Sequence, residues 1–149
     1  MLTYKAFIFI AMVLLHILED FHLQGILANM KQKSWWQSEC TKLGIVYDSS
    51  KYRRDHIVSL IVHALENSIF ITLPLIADGL ATTFTTIPNN SFFIGWAFII
   101  FANTVVHAII DDFKCNSKSI NLVVDQILHF IFIILFFSLY EKYLGLWIR

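Results

Sequence analysis

The stretch INLVVDQILHFIFIILFFSLY, residues 120–140, decides the fold. It is apolar almost throughout and has the roughly 20 residues needed to cross about 30 Å of hydrocarbon at 1.5 Å per residue. Three further stretches meet the same criterion, roughly Thr3 to Gln24, His56 to Ala77 and Phe92 to Asp112. Together they predict an all-α integral membrane four-helix bundle, one transmembrane domain over residues 1–149. Composition agrees, since 57% of the residues are hydrophobic and 15% charged, against roughly 45–50% apolar in soluble domains. Such a composition excludes intrinsic disorder. Eleven acidic and eleven basic residues cancel, which removes the basic balance of a general nucleic-acid binder, so no nucleic-acid partner is expected.

The apolar run of the first span is followed by Glu19 and Asp20 rather than a small-residue cleavage pattern, which marks it as a retained helix. Pro74 falls near the end of the second span and Pro88 after it, so neither is expected to interrupt a helix centre. The first connection, Gly25 to Asp55, carries Lys31, Lys33, Lys42, Lys51, Arg53 and Arg54, whereas the second has no Lys or Arg. The third adds Lys114 and Lys118. Positive charge stays inside, so connections one and three are placed in the cytoplasm and both termini outside. Trp35 and Trp36 beside lysines predict an interfacial helix in the first connection. Cys40 and Cys115 then face a reducing compartment, where free thiols are expected.

Polar and ionisable side chains recur inside the spans, where each costs at least about 2.5–3.5 kcal/mol if ionised at the bilayer centre. His16, Asp20 and Gln24 are spaced i, i+4, i+8 on one helical face. His63, Glu66 and Asn67 lie in the second span, and His107 and Asp111 repeat the i, i+4 spacing in the third. The fourth reverses it, with Asp125, Gln126 and His129. Antiparallel helices need that reversal if like groups are to meet at one depth. Counting helix rise, each of the four histidines sits about 10–16 Å from the polar marker at the cytoplasmic end of its span. Asp20, Asp111 and Asp125 fall about one turn nearer the cytoplasm.

His16, His63, His107 and His129 with Asp20, Asp111 and Asp125 form a ligand set for one or two divalent metals, zinc first, with manganese or iron as alternatives. Spacing leaves open whether an aspartate binds the ion or holds an imidazole from behind. Glu66, Asp20 or Asp111 is expected to move a proton. Gln24, Asn67 and Gln126 are candidate donors to a developing oxyanion, and Lys114 is either a phosphate contact or a boundary lysine. Glu19, with Glu66 a candidate general base beside the cluster, is expected to be solvated or snorkelling, His22 and His56 to lie at the interface, and the phenylalanine-rich run Phe130 to Phe137 to face lipid.

The ordered motifs His16-Ile-Leu-Glu-Asp20-Phe-His-Leu-Gln24 with Lys31, His63, His107-Ala-Ile-Ile-Asp111-Asp-Phe-Lys114 and Asp125-Gln126-Ile-Leu-His129 resemble domain-of-unknown-function family 3307. That family comprises small bacterial and phage membrane proteins, and the resemblance covers about Leu14 to Phe132. It implies about four membrane helices, a polar centre and a bacterial cytoplasmic (inner) membrane, without an established reaction. A looser similarity is to membrane-bound metal-dependent hydrolases, which also carry His-x-x-x-Asp motifs in membrane helices. The sequence departs from the family's pattern in its long polar connection from Gly25 to Asp55, which aligns only as far as Lys31 or Lys33.

Three functions fit these residues: a metal-dependent hydrolase acting on a lipid or lipid-linked substrate, a metal-ion or proton transporter component, and a structural or regulatory protein with a polar core. Transport would call for a homo-oligomer and a polar track through both halves of the membrane. Beyond Asn103, Thr104 and Ser138 the sequence offers little for such a track. A scaffold would instead use its basic first connection to hold anionic lipid or a partner.

Overall fold

A computed structural model describes residues 3–83 and 90–144. Helix α1, Tyr4–Leu18, runs straight into a π-helical turn, Glu19–Leu23. The first connection holds two short helices, α2 (Leu27–Met30) and α3 (Lys33–Lys42). Helices α4 (Asp55–Thr83), α5 (Asn90–Cys115) and α6 (Leu122–Leu139) follow, and a second wide turn, Tyr140–Leu144, prolongs α6. There is no strand among the described residues. Four helical stretches are long and apolar enough to span a membrane: Tyr4–Leu23, Asp55–Ala81, Phe93–Cys115 and Leu122–Lys142. The chain is thus an all-α bundle, and large apolar side chains such as Phe7, Ile94, Phe98, Phe101 and Val123 cover its outside. Exposed apolar surface on that scale calls for lipid around it.

Helices α4 and α5 continue past the apolar runs that announced them. Backbone hydrogen bonds propagate a helix wherever geometry allows, whereas hydropathy marks only the part immersed in hydrocarbon. Pro74 is therefore interior to α4, where it has no N–H to offer the carbonyl four residues back. Pro88 lies outside the described residues. Asn121 caps α6 by accepting a hydrogen bond from the Val124 N–H at 3.0 Å.

The long helices pack in the cyclic order α1, α4, α5, α6. At one end, Lys5 pairs with Glu141, the Tyr140 hydroxyl donates to Asp78 at 2.6 Å, and the Trp96 and Tyr140 rings lie 5.3 Å apart. These contacts gather the start of α1, the end of α4, the start of α5 and the end of α6, which defines an up-down-up-down bundle. At the other end Asn116 joins the first and third connections. Its side chain accepts from the Lys33 N–H at 2.8 Å and donates to the Lys31 carbonyl at 3.1 Å.

The interior has two halves. Ile8, Met12, Ile71, Leu75, Trp96, Ile133 and Tyr140 form the apolar half. Phe136 is buried, and Phe130 and Phe137 pack against that cluster, so the phenylalanine run is not uniformly a lipid surface. Its helical period turns His129, Ile133, Phe136 and Tyr140 inward together. Lipid is as apolar as a leucine side chain, so the helices are held here by close van der Waals packing. Leu75→Ala is expected to lower stability by about 2 kcal/mol or more, read as thermal unfolding in detergent. The same change at lipid-facing Leu73 should have little effect.

Candidate metal centre

The polar half begins where α1 changes its winding. The Gln24 N–H bonds the Glu19 carbonyl, five residues back, at 3.1 Å, and Glu19 and Asp20, at the start of this wider turn, are both buried. The expectation of a solvated Glu19 is therefore overturned: at i+3 from His16 it shares the inward face with Asp20 at i+4. Single π turns within α-helices occur frequently at functional sites. The same turn takes Gln24 out of the His16 and Asp20 stack, and its amide folds back to the Asp20 carbonyl.

Four imidazoles meet inside the bundle. Ring centroids lie 5.1 Å apart for His16 and His129, 5.0 Å for His63 and His107, and 4.1 Å for His107 and His129. Two groups of ligand atoms stand out, Asp20, His63, His107 and Asp111 in one and Asp111, Asp125 and His129 in the other, each within 4.8 Å throughout. In the first, His63 Nε2 lies 3.2 Å from Asp111 Oδ2, 3.4 Å from Asp20 Oδ1 and 3.2 Å from His107 Nε2. Four ligands held tetrahedrally at 2.0–2.1 Å from a zinc ion stand about 3.3 Å from one another. The spacing thus suits one ion surrounded by these atoms.

Each carboxylate has one oxygen tied and one free. Asp20 Oδ2 accepts from Gln126 Nε2 at 2.6 Å, Asp125 Oδ2 from Lys114 Nζ at 2.8 Å, and Asp111 Oδ2 from Lys31 Nζ at 2.6 Å. The Oδ1 atoms of all three are buried without a hydrogen-bond partner, as is His129 Nε2. Buried polar atoms rarely stay unpaired, and atoms of this donor set fit a transition-metal cation. Glu19 Oε1 lies 3.2 Å from His63 Nδ1, an arrangement that orients an imidazole with Nε2 toward a metal. Among the described residues Glu19, Asp20, Asp111 and Asp125 have only the ammonium groups of Lys31 and Lys114 against them, so two formal negative charges remain if the imidazoles are neutral.

The other expected site residues are placed differently. His16 belongs to neither group. Its Nδ1 lies 3.1 Å from Asn67 Nδ2, which also donates to Glu19 Oε2 at 2.7 Å, while its Nε2 is buried and unpartnered. Asn67 and Gln126 thus brace other side chains, and Lys114 grips Asp125. Glu66 is exposed, outside the inner face of α4 that carries His63, Ala64, Asn67 and Ser68. His56 is buried but lies about 10 Å along α4 from His63, and His22 is exposed. Cys40 and Cys115 are free thiols.

Sequence reasoning misplaced one participant and gave another no role. Glu19 was weighed as a general base but expected in solvent, although its i+3 spacing from His16 puts it on the inward face. Lys31 is 3% exposed at the end of α2, and nothing periodic in a polar connection marks a lysine that enters the bundle. No protein-family model, curated protein or solved structure matches the chain.

Removing the Lys31 ammonium strands a fully buried carboxylate. In chelator-treated protein Lys31→Met is expected to cost about 3–5 kcal/mol, and Lys31→Met with Asp111→Asn should recover most of it. Thermal unfolding of both variants in detergent checks this, and an unchanged single variant would mean that water already solvates the pair.

Proposed function

We propose that this protein is a membrane-embedded, metal-dependent hydrolase acting on a lipid or lipid-linked ester, amide or phosphate at the cytoplasmic face. The observation that carries this is the convergence of buried, unpartnered carboxylate and imidazole atoms at ligand spacing in one half of the bundle only. Zinc suits the nitrogen and oxygen donors best, with manganese or iron as alternatives. Membership of domain-of-unknown-function family 3307, which the four ordered motifs resemble, is part of the same proposal.

A divalent ion held by Asp20, His63, His107 and Asp111 would polarise the scissile carbonyl or phosphoryl group and lower the pKa of water to about 7. The chain supplies the rest. Glu19 fixes the ring of His63 through Nδ1, on the side of the ring away from the ion, and the proton of the attacking water passes to a carboxylate beside the ion, Asp20 or Asp111. With Asn67 Nδ2, at 3.1 Å the nearer of its two amide atoms, donating to His16 Nδ1, the His16 proton would sit on the buried Nε2 as a donor to the developing oxyanion. Lys31 and Lys114 keep Asp111 and Asp125 charged and oriented.

Transport is disfavoured by the apolar half. Beyond the histidines, Asn103 donates to Ser68 Oγ at 2.7 Å, and the polar track then gives way to Ile8, Met12, Ile71, Leu75 and Ile133. The same residues need no second copy of the chain to complete the site. Location in a bacterial inner membrane, with connections one and three cytoplasmic and both termini outside, is supported by the lysines and arginines of those connections and by the Asn116 bonds that hold them at one end.

Elemental analysis of protein purified in detergent should find a divalent transition metal that His107→Ala loses and Glu66→Gln retains. Glu19→Gln should lower metal affinity or hydrolysis of mixed phospholipid and lipid-phosphate vesicles by about 10–100-fold. Metal-free native protein, or unchanged metal content in His107→Ala, would sink the proposal.

A further inference from the structure

The two ligand groups share one residue through different atoms. Asp111 presents Oδ2 to His63 Nε2 at 3.2 Å and to His107 Nε2 at 3.8 Å. It presents Oδ1 to His129 Nε2 at 3.5 Å, and His129 Nε2 lies 3.5 Å from Asp125 Oδ1 as well. Oδ1 of Asp111, Oδ1 of Asp125 and Nε2 of His129 are all buried and all without a hydrogen-bond partner. We propose that the centre holds two divalent transition-metal cations bridged by the Asp111 carboxylate, the second bound by Asp111 Oδ1, Asp125 and His129.

Two magnitudes favour an ion over a protonated His129 wedged between two aspartates. An imidazolium donating to carboxylates should draw them to about 2.7–2.9 Å, whereas both separations are 3.5 Å, close to the roughly 3.3 Å edge of a tetrahedral zinc shell. A single ring nitrogen also carries one proton and cannot satisfy two carboxylate oxygens at full strength, while a cation serves both. Asp125 is prepared for this, since Lys114 and Gln126 hold its Oδ2 and leave Oδ1 to point inward. Three protein ligands leave a coordination position open for a reacting group, as catalytic sites do.

Ions joined through one carboxylate in two-metal sites stand about 3.5–4 Å apart, where they clamp the attacking and leaving oxygens of a displacement. This inference rests on the metal-binding part of the proposed function and adds the number of ions and the residue between them.

Full-length protein in detergent, stripped with chelator and reloaded with Mn²⁺ alone, provides the test. Two ions per chain and a spin-coupled, multiline manganese resonance are expected. His129→Ala should halve the metal and leave a single-ion signal, and Asp111→Asn should abolish the coupling. One ion per chain in the native protein, or two whose resonances are uncoupled, overturns the bridge. Should the variants fail to fold, the native protein's stoichiometry and spectrum still decide. Two coupled ions without lipid hydrolysis would count against the hydrolase and leave the bridge standing; one ion with hydrolysis would do the reverse.

Discussion

Everything in the polar half of this bundle is arranged around the carboxylate of Asp111, which is wholly buried in a helix surrounded by apolar surface. A charge there is tolerated only if neighbours replace the water it has lost. They come from separate elements: Lys31 from the end of α2, His63 from α4, His107 from one turn earlier on α5 itself, and His129 from α6. Asp20, delivered by the π turn after α1, reaches the same group through His63. One carboxylate thereby sets the depth and rotation of every long helix, because each must present its polar atom within a few ångströms of a fixed point.

The apolar half has a different logic. Ile8, Met12, Ile71, Leu75 and Ile133 compete with lipid tails of equal polarity, so they specify the bundle by shape alone. Shape tolerates small shifts where a buried ion pair does not. The division places a demanding polar site next to a forgiving apolar one, and it closes the far side of the site to water and ions. A site confined to one half of the bundle suits chemistry at that side better than passage through the membrane.

Much of this was legible beforehand because the relevant signals are local. Twenty apolar residues in a row can be counted, and the i, i+4 pairs in α1 and α5 with the reversed pair in α6 identify inward faces and a common depth. What escaped involved, Glu19 apart, geometry that sequence spacing does not encode. Glu19 was expected in solvent because it stands outside the i, i+4 series, yet i+3 from His16 is the same helical face and its carboxylate finds partners on α4. Glu66 was a candidate proton carrier because it sits beside the cluster in sequence, yet it lies outside the inner face. Lys31 sits in a connection without periodicity, so its entry into the bundle depends on how α2 folds back over α4.

By itself, then, the sequence determines the class of the protein, the number of its spans and the level at which its histidines and aspartates gather, since hydropathy and helical period act residue by residue along one chain. Only the tertiary structure decides which atoms meet. It leaves His16 outside both ligand groups with its Nδ1 beside Asn67, turns Gln126 and Lys114 into braces for Asp20 and Asp125, and sets the two oxygens of Asp111 between two clusters. The physical reason is that a ligand atom is defined by where its lone pairs point and what else claims them, and those claims come from other helices.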